Sequence, residues 1–335
     1  MTAEYIFEKV KEGNFITLPD EVKAIRDATT EKNIIGEALA LLKGYLSTHK
    51  FKRPDDKHKL IQSIAILSSL NPYYESMSRK YYDEYVYMLI DMESSQLQVK
   101  ENTFFSFRSI NIYSIEDITN NTITVSSPKN FNDPLDPPIT LAAKHKFKNI
   151  ETQKDEQFFL DSLEKVRIKC FVSEIDLKTN KKVDPYLNTL MWAHYANSHR
   201  GICIKYKLSP SLIKRNNKIT GLFAAVEYPE TPFNIESENH FEFNECFLIK
   251  QAEWKYENEV RLIYFNADNS ENFQSIKLEG DNKIEAIYFG YRCPQTEKDT
   301  IKNILKNNSE IKFFQMKIDY SNIFQLIAEE EKKHF

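Results

Sequence analysis

Three stretches of the chain mix large aromatics with acids, amides or histidine in a way that packing alone does not require. They are Phe131-Asn132-Asp133-Pro134-Leu135-Asp136, the run from Met191-Trp192-Ala193-His194-Tyr195 to His199-Arg200-Gly201, and Trp254-Lys255-Tyr256-Glu257-Asn258-Glu259-Val260-Arg261. Both tryptophans of the chain fall inside them. Two glutamates at i, i+2 can crowd charge in a cleft and lift one pKa into the range of acid–base work. The same pair can hydrogen-bond a sugar hydroxyl. Asp133 or Asp136 could act as a metal ligand or an acid–base group, and Trp192 and Tyr195 offer faces on which a planar ring could stack.

Structural duties compete for the same residues. Asn-Asp-Pro is a turn signature, because a residue before proline is held extended and Asn and Asp side chains bond local backbone. This accounts for Asn132 and Asp133 and leaves Asp136 unexplained. Asp184-Pro185 and Gly201 frame a helix over Asp184–Ser198. At about 100° per residue, Leu187, Leu190, Met191 and His194 share one arc, which reads as a core face and makes His194 a buried, hydrogen-bonded histidine. Asn188, Trp192, Tyr195 and His199 share a neighbouring arc with the character of a binding wall. A zinc site from His194, His199 and Cys203 is rejected, since histidines five apart point roughly 140° away from each other on a helix. Trp254 to Arg261 reads as the entry to a strand, with Glu257, Glu259 and Arg261 on one face. Its structural duty would be a solvated Glu259–Arg261 pair worth little.

Periodicity supplies the elements that must position these groups. Residues 1–98 read as a helical region, with apolar positions at helical spacing from Ile34 to Leu46, from Leu60 to Leu67, and from Tyr73 to Leu89. From about residue 101 short β-prone runs take over, at Thr103–Phe107, Thr122–Val125, Val166–Val172, Ile202–Tyr206, Phe247–Ile249, Glu259–Phe265, Ile284–Phe289 and Lys312–Ile318. Helices are expected between them at Ser114–Thr119, Asp155–Lys165, Asp184–Ser198 and Gln295–Lys306. Strands and helices mix without regular βαβ spacing. This predicts an α+β fold: an N-terminal helical bundle over 1–98, then a mixed or antiparallel-sheet α+β domain over 99–335 that carries the site.

Composition removes several chemistries. With 41% hydrophobic and 28% charged residues over 335, the chain can bury a core, and a net charge of −4 supplies no general attraction to nucleic acid or anionic membrane. The 7 glycines, at positions 13, 36, 44, 201, 221, 280 and 290, form neither G-x-G-x-x-G nor G-x-x-x-x-G-K, so glycine-rich phosphate loops are absent. G-x-S-x-G and H-E-x-x-H are absent too. The 4 cysteines stand singly, which suits free thiols in a reducing compartment. No basic-then-apolar leader and no run of ~18 apolar residues is present, so a cytoplasmic protein without membrane contact is expected.

Phe105-Ser106-Phe107-Arg108-Ser109, Phe131 to Asp136, Cys170-Phe171-Val172-Ser173, Met191 to Tyr195, Arg200-Gly201-Ile202-Cys203, and Lys250, Trp254 and Glu257 to Arg261 occur in that order. Together they resemble a bacterial domain-of-unknown-function family, number 2971, over residues 100–290. Phe105 and Phe107 stand where tyrosines are commoner there, and Leu135 replaces an aromatic. That family implies no activity. The order Arg108, Ser173, Glu257-Asn258-Glu259 is similar to mono-ADP-ribosyltransferases of the Arg–Ser–Glu kind. This second resemblance implies NAD as substrate. Arg108 would hold the pyrophosphate, Ser173 would brace the glutamate, and Glu259 would stabilise the oxocarbenium ion. Glu257 would orient the acceptor, and Trp192 or Tyr195 would pack the nicotinamide.

The expectation is an intracellular bacterial effector of toxin or phage-defence type. A nucleotide-binding cleft would draw on Arg108, Asp133, Ser173, Trp192, Tyr195, His199, Glu257 and Glu259, with NAD as substrate and no metal. A macromolecular acceptor and a protein partner for the N-terminal helical region would complete it. Two rivals stand beside it. A Mg²⁺-dependent nuclease or phosphoesterase would use Asp133, Asp136, Glu257 and Glu259 as ligands, with Lys250 or Lys255 near the phosphate. A non-enzymatic sensor would use the same cleft for a nucleotide or peptide.

Overall fold

Helical spacing of apolar residues builds the first part of the chain: α1 (Ala3–Lys11), α2 (Leu18–Ala28), α3 (Lys32–Thr48) and α4 (Pro54–Ser68). Ile6, Val10, Val22, Leu39, Leu42 and Ile64 are buried together in one core. Proline opens α4, where its missing N–H costs nothing, and Arg53 Nη2 bonds Asp56 Oδ1 across the first turn at 2.7 Å. The computed structural model describes residues 3–28, 32–68, 99–100, 102–138, 165–215, 218–231, 247–266, 271–322 and 324–331. The helices expected over Tyr73–Leu89 and over residues 155–164 lie outside them. Packing divides the chain into one unit of Met1–Glu93, Leu141–Val166 and Phe265–Ser270 and another of Ser94–Thr140, Arg167–Tyr264 and Glu271–Phe335.

The second unit is α+β. Its sheet has ten strands, in the order β12 (Leu326–Glu331), β11 (Lys312–Ile318), β10 (Lys283–Phe289), β4 (Ile202–Lys207), β1 (Thr103–Arg108), β3 (Val166–Ser173), β2 (Thr122–Ser126) and β9 (Phe273–Lys277). From β3 it also branches to β8 (Glu259–Phe265) and then β7 (Gly221–Ala225). A separate ribbon pairs β5 (Lys214–Arg215) with β6 (Lys218–Ile219). β10 and β11 pair in parallel, whereas β1 pairs antiparallel with both β3 and β4, so the sheet is mixed.

Both faces of this sheet are covered, as the aromatic and β-branched strands require. Alternation along β1 sends Phe104 to one face and Phe105 and Phe107 to the other. The Phe104 face packs Phe171, Tyr206 and Phe289 beneath Ile118 of α5 (Ile112–Asn120) and Ile301 of α7 (Gln295–Ile304). Asn111 caps α5 through a reciprocal bond pair with Ser114, and Asn121 ends it at φ 52. The opposite face packs Phe105, Phe107, Val172 and Met316 against Met191 and Trp192 of α6 (Thr189–Tyr195).

Three expectations are corrected. The helix over Asp184–Ser198 is broken into a 3₁₀ turn at Pro185–Leu187 and the shorter α6, because Asn188 rather than Asp184 supplies the cap, its Oδ1 accepting from Leu190 N at 3.1 Å. The two arcs share the core, which takes Met191 from the first and Trp192 from the second. Trp192 is wholly buried, while Leu187, Leu190 and His194 are exposed. Phe247–Ile249 forms only an isolated bridge, Glu227 to Ile249. β7, β9 and β12 escaped notice because none alternates cleanly. The acid-rich β12 is held by pairing with β11 and by Lys317–Glu329 and Lys302–Glu331 ion pairs, each 2.5 Å. Among the described residues no helix is long and apolar enough to cross a membrane.

Candidate functional site

The third aromatic–acid stretch enters its strand through a turn. Ala252–Glu257 forms a 3₁₀ helix, Asn258 takes the left-handed conformation at φ 47, and β8 begins at Glu259. Asn adopts this conformation more readily than most residues. Here Asn258 Nδ2 donates to Ile175 O at 2.7 Å and Oδ1 accepts from Leu177 N at 2.9 Å. The reversal brings Glu257 alongside Glu259 by a route other than strand alternation. Glu259 and Arg261 do share one strand face, and that face is buried.

A cavity of about 420 Å³ opens over this turn. Its walls are Phe105 and Phe107 of β1, Phe131, and His194 and Tyr195 of α6; Asp136, Lys250, Glu257 and Glu259 meet in it. Lys250 Nζ lies 2.6 Å from Glu257 Oε2, 3.2 Å from Glu259 Oε2 and 3.4 Å from Asp136 Oδ2. Arg261 donates from Nε to Glu259 Oε1 at 2.7 Å, from Nη2 to Asp136 Oδ2 at 2.6 Å, and from Nη1 to Phe247 O at 2.7 Å. Tyr195 Oη donates to Glu257 Oε1 at 2.5 Å, and Glu259 N donates to Tyr228 Oη at 3.1 Å. Asp136 Oδ1 is buried and has no partner among the described residues.

Burial and charge divide these acids. Burial, reinforced by the charge of Glu259, raises Glu257 above the usual glutamate value. Burial also raises Asp136, with Arg261 opposing it. Burial alone would raise Glu259, but Arg261 and Lys250 outweigh it and hold the carboxylate at about 2. Burial opposes the Lys250 charge too, and Glu259 and Glu257 override it, keeping the ammonium above its ordinary range. Burial and Glu259 push the Cys170 thiol far up, so this cysteine is no thiolate nucleophile. Burial, then the bond to Glu257, raises the Tyr195 phenol, which is therefore a proton donor at neutral pH.

Tyr195, Glu257 and Glu259 thus stand together at the cavity, and the other expected site residues stand elsewhere. Arg108 turns to the opposite sheet face and pairs with buried Asp117, which also accepts from Thr124 Oγ1 at 2.6 Å. Strand alternation forbids it to reach the cavity that Phe105 and Phe107 line. Ser173 accepts from Ile175 N at 2.9 Å and borders a different cavity, beside Asn258. Trp192 is core: its Nε1 donates to Tyr186 O at 2.7 Å and its edge meets Phe107 at 5.1 Å between centroids. His199, third of three successive left-handed residues after Asn197 and Ser198, stacks near Trp192 rather than facing the cavity. Asp133 is spent on the turn, its Oδ1 accepting from Leu135 N at 2.9 Å. Asp136 and Lys250, expected only for the Mg²⁺-dependent alternative, and Arg261, expected as a solvated partner of Glu259, complete the cluster. Their signal was weak: Asp136 was the acid its turn did not explain, and a lysine or arginine facing inward leaves no trace in periodicity.

Residues 191–262 match the family model described as "Protein of unknown function (DUF2971)", the family that the sequence resembled. The matched span runs from α6 to β8 and includes Tyr195, Lys250, Glu257, Glu259 and Arg261, with Asp136 outside it. No curated protein and no solved structure matches the chain.

Proposed function

We propose that this cavity binds a nucleotide-like ligand and transfers ADP-ribose from NAD to an acceptor. The observation that supports the reading is the pair Glu257 and Glu259, joined through Lys250 yet driven to opposite protonation behaviour in one aromatic-walled cavity. Paired carboxylates with pKa values pushed apart are how a site obtains both a fixed negative charge and a proton acceptor at neutral pH.

In the reaction, the bond between the ribose anomeric carbon and the pyridinium nitrogen breaks, and nicotinamide leaves as the neutral base with the bonding pair. Glu259, ionised at every physiological pH, stabilises the positive charge that develops on the sugar. The acceptor attacks that carbon, and its proton passes to Glu257. Tyr195 holds Glu257 from the cavity side, and Lys250 and Arg261 act as positioning residues. Neither Arg108 nor Ser173 takes part, so the pyrophosphate would be held by other groups.

The Mg²⁺-dependent alternative draws less support. Lys250 Nζ already occupies the place among Asp136, Glu257 and Glu259 that a cation would take, and Asp133 is committed to its turn. A purely binding role is favoured by one observation: all four oxygens of Glu257 and Glu259 already have partners.

Incubating the protein with NAD and a cell extract, and following free nicotinamide and ADP-ribose label, tests the reading. Glu259→Gln should fold and lose turnover by roughly 10²–10³, the usual loss when one transition-state charge partner is removed. Unchanged NAD in the presence of wild-type protein would overturn it.

A further inference from the structure

The charge balance of the cavity is uneven. Among the described residues, three buried carboxylates, Asp136, Glu257 and Glu259, meet two fixed cations, Lys250 and Arg261. One acid is left over when all are ionised. The leftover has a structural trace: Asp136 is only 5% exposed, lines the cavity, and its Oδ1 has no hydrogen-bond partner among the described residues. Polar atoms buried without a partner are rare and costly, and functional sites are one place where they are kept.

The walls say what kind of group. Phe105, Phe107, Phe131 and Tyr195 line the same cavity as the acids. The site already uses ring faces for positive charge, since the Arg261 guanidinium lies 5.4 Å from the Phe131 centroid and Lys250 Nζ lies 5.0 Å from that of Trp254. A phosphate would meet a surplus of negative charge here. A metal ion would meet Lys250 Nζ, within 3.4 Å of all three acids. A flat organic cation fits both the rings and the unbalanced acid.

We infer that the cavity is selective for a planar cationic head group of the N-alkylpyridinium or guanidinium class, and that it excludes phosphate. The inference needs the cavity to be the binding site proposed above, and it holds whether or not NAD is consumed there. If NAD is the ligand, it enters ring first with its phosphates outside the cavity.

Binding and protonation are then linked. Before a ligand binds, burial favours a proton on Glu257 or Asp136. An arriving cation restores the negative form and releases that proton, so affinity rises with pH. Glu257 is faced by Tyr195, Lys250 and Glu259, and Asp136 by Arg261, Lys250 and Glu259. Cys170 and Tyr228 flank Glu259, and His194 Nδ1 sits 2.8 Å from Tyr256 Oη on the outer wall. A released proton also leaves Glu257 ready to accept one from the acceptor.

The test uses the full chain, with calorimetric binding of 1-methylnicotinamide, its neutral counterpart nicotinamide, methylguanidine and inorganic phosphate. The pyridinium should bind at least about tenfold more tightly than nicotinamide, as expected of a cation over desolvated ring faces. Its affinity should rise with pH above the ordinary carboxylate range, with proton release visible as a dependence on buffer ionisation heat. His194→Gln should retain that rise, and Asp136→Asn should weaken cation binding while sparing nicotinamide. Equal or weaker binding of the cation, tighter binding of phosphate, displacement of the pyridinium by Mg²⁺, or no binding by any probe would each overturn the inference. If Asp136→Asn melts early because Arg261 loses a partner, the wild-type comparison of the pyridinium with nicotinamide decides alone. Pyridinium binding without NAD consumption would keep this inference and remove the proposed reaction.

Discussion

Glu257 and Glu259 are two residues apart, bind the same lysine ammonium at 2.6 and 3.2 Å, and titrate in opposite directions. The difference lies in what else touches them. Glu259 also receives the Arg261 guanidinium, whereas Glu257 receives a phenol and the repulsion of Glu259. A left-handed Asn258 between them makes both arrangements possible within one short turn.

Stability should depend on pH with a sign set by each acid. Glu259 is held at about 2 against an ordinary 4.5, so its contribution is present above pH 4.5 and is lost as pH falls towards 2. The loss is roughly 3 kcal/mol if Glu259 acts alone. Glu257 is raised, so its contribution is present below its ordinary 4.5 and is lost as pH rises through the folded value. Urea midpoints measured from pH 2.5 to 8 should lose most of the acid-side slope in Glu259→Gln and flatten between pH 4.5 and neutrality in Glu257→Gln. The same acid slope in Glu259→Gln as in the parent would refute the assignment.

Arg261→Met should destabilise the fold by about 3–5 kcal/mol, because it leaves Asp136 and Glu259 buried against a single lysine. Arg261→Lys should recover only part of this, since a lysine lacks the fork that bonds Glu259, Asp136 and Phe247 O at once. Chemical denaturation compares the three proteins directly.

Arg108→Met separates the sheet's two faces. It strips buried Asp117 of its cation and should cost about 1–3 kcal/mol. Because the side chain lies on the face away from the cavity, 1-methylnicotinamide affinity should stay at the parent value. A binding loss larger than any shift explained by unfolding would return Arg108 to the site.

The two tryptophans report different places. Trp192 is wholly buried, whereas Trp254 is partly exposed over Lys250. Iodide should quench the fluorescence of Trp192→Phe, in which Trp254 remains, and leave Trp254→Phe nearly unquenched. A ligand entering the cavity should alter only the first signal.

Much of the sheet was legible because aromatic and β-branched runs such as Thr103–Phe107 and Glu259–Phe265 carry their own preference for extended backbone. β12 was not, since Leu326-Ile327-Ala328 followed by three glutamates becomes a strand only through pairing with β11. In the site, the Glu257–Glu259 pair stood out by spacing, and Tyr195 by its type. Trp192 misled for a physical reason: a side chain prized for stacking on ligands is equally apt to fill a core. Arg108 misled because its order in the chain suggested a role that strand alternation denies it. Arg261 was read as a solvated partner of Glu259, and its reach to Asp136 becomes visible only when distant turns close on β8.

The strand order has a consequence for how the chain reaches this state. β1 lies between β3 and β4, with Phe104 opposite both Ser173 and Tyr206, so the central strand is synthesised well before either neighbour. Until then Phe104, Phe105 and Phe107 leave the ribosome as an unpaired strand, apolar on both faces. Such a segment has no partner to collapse upon and every reason to pair with another copy of itself. Efficient maturation should therefore depend on a holdase or on slow release of this segment. A nascent chain arrested between β1 and β3 should be the species most prone to aggregate.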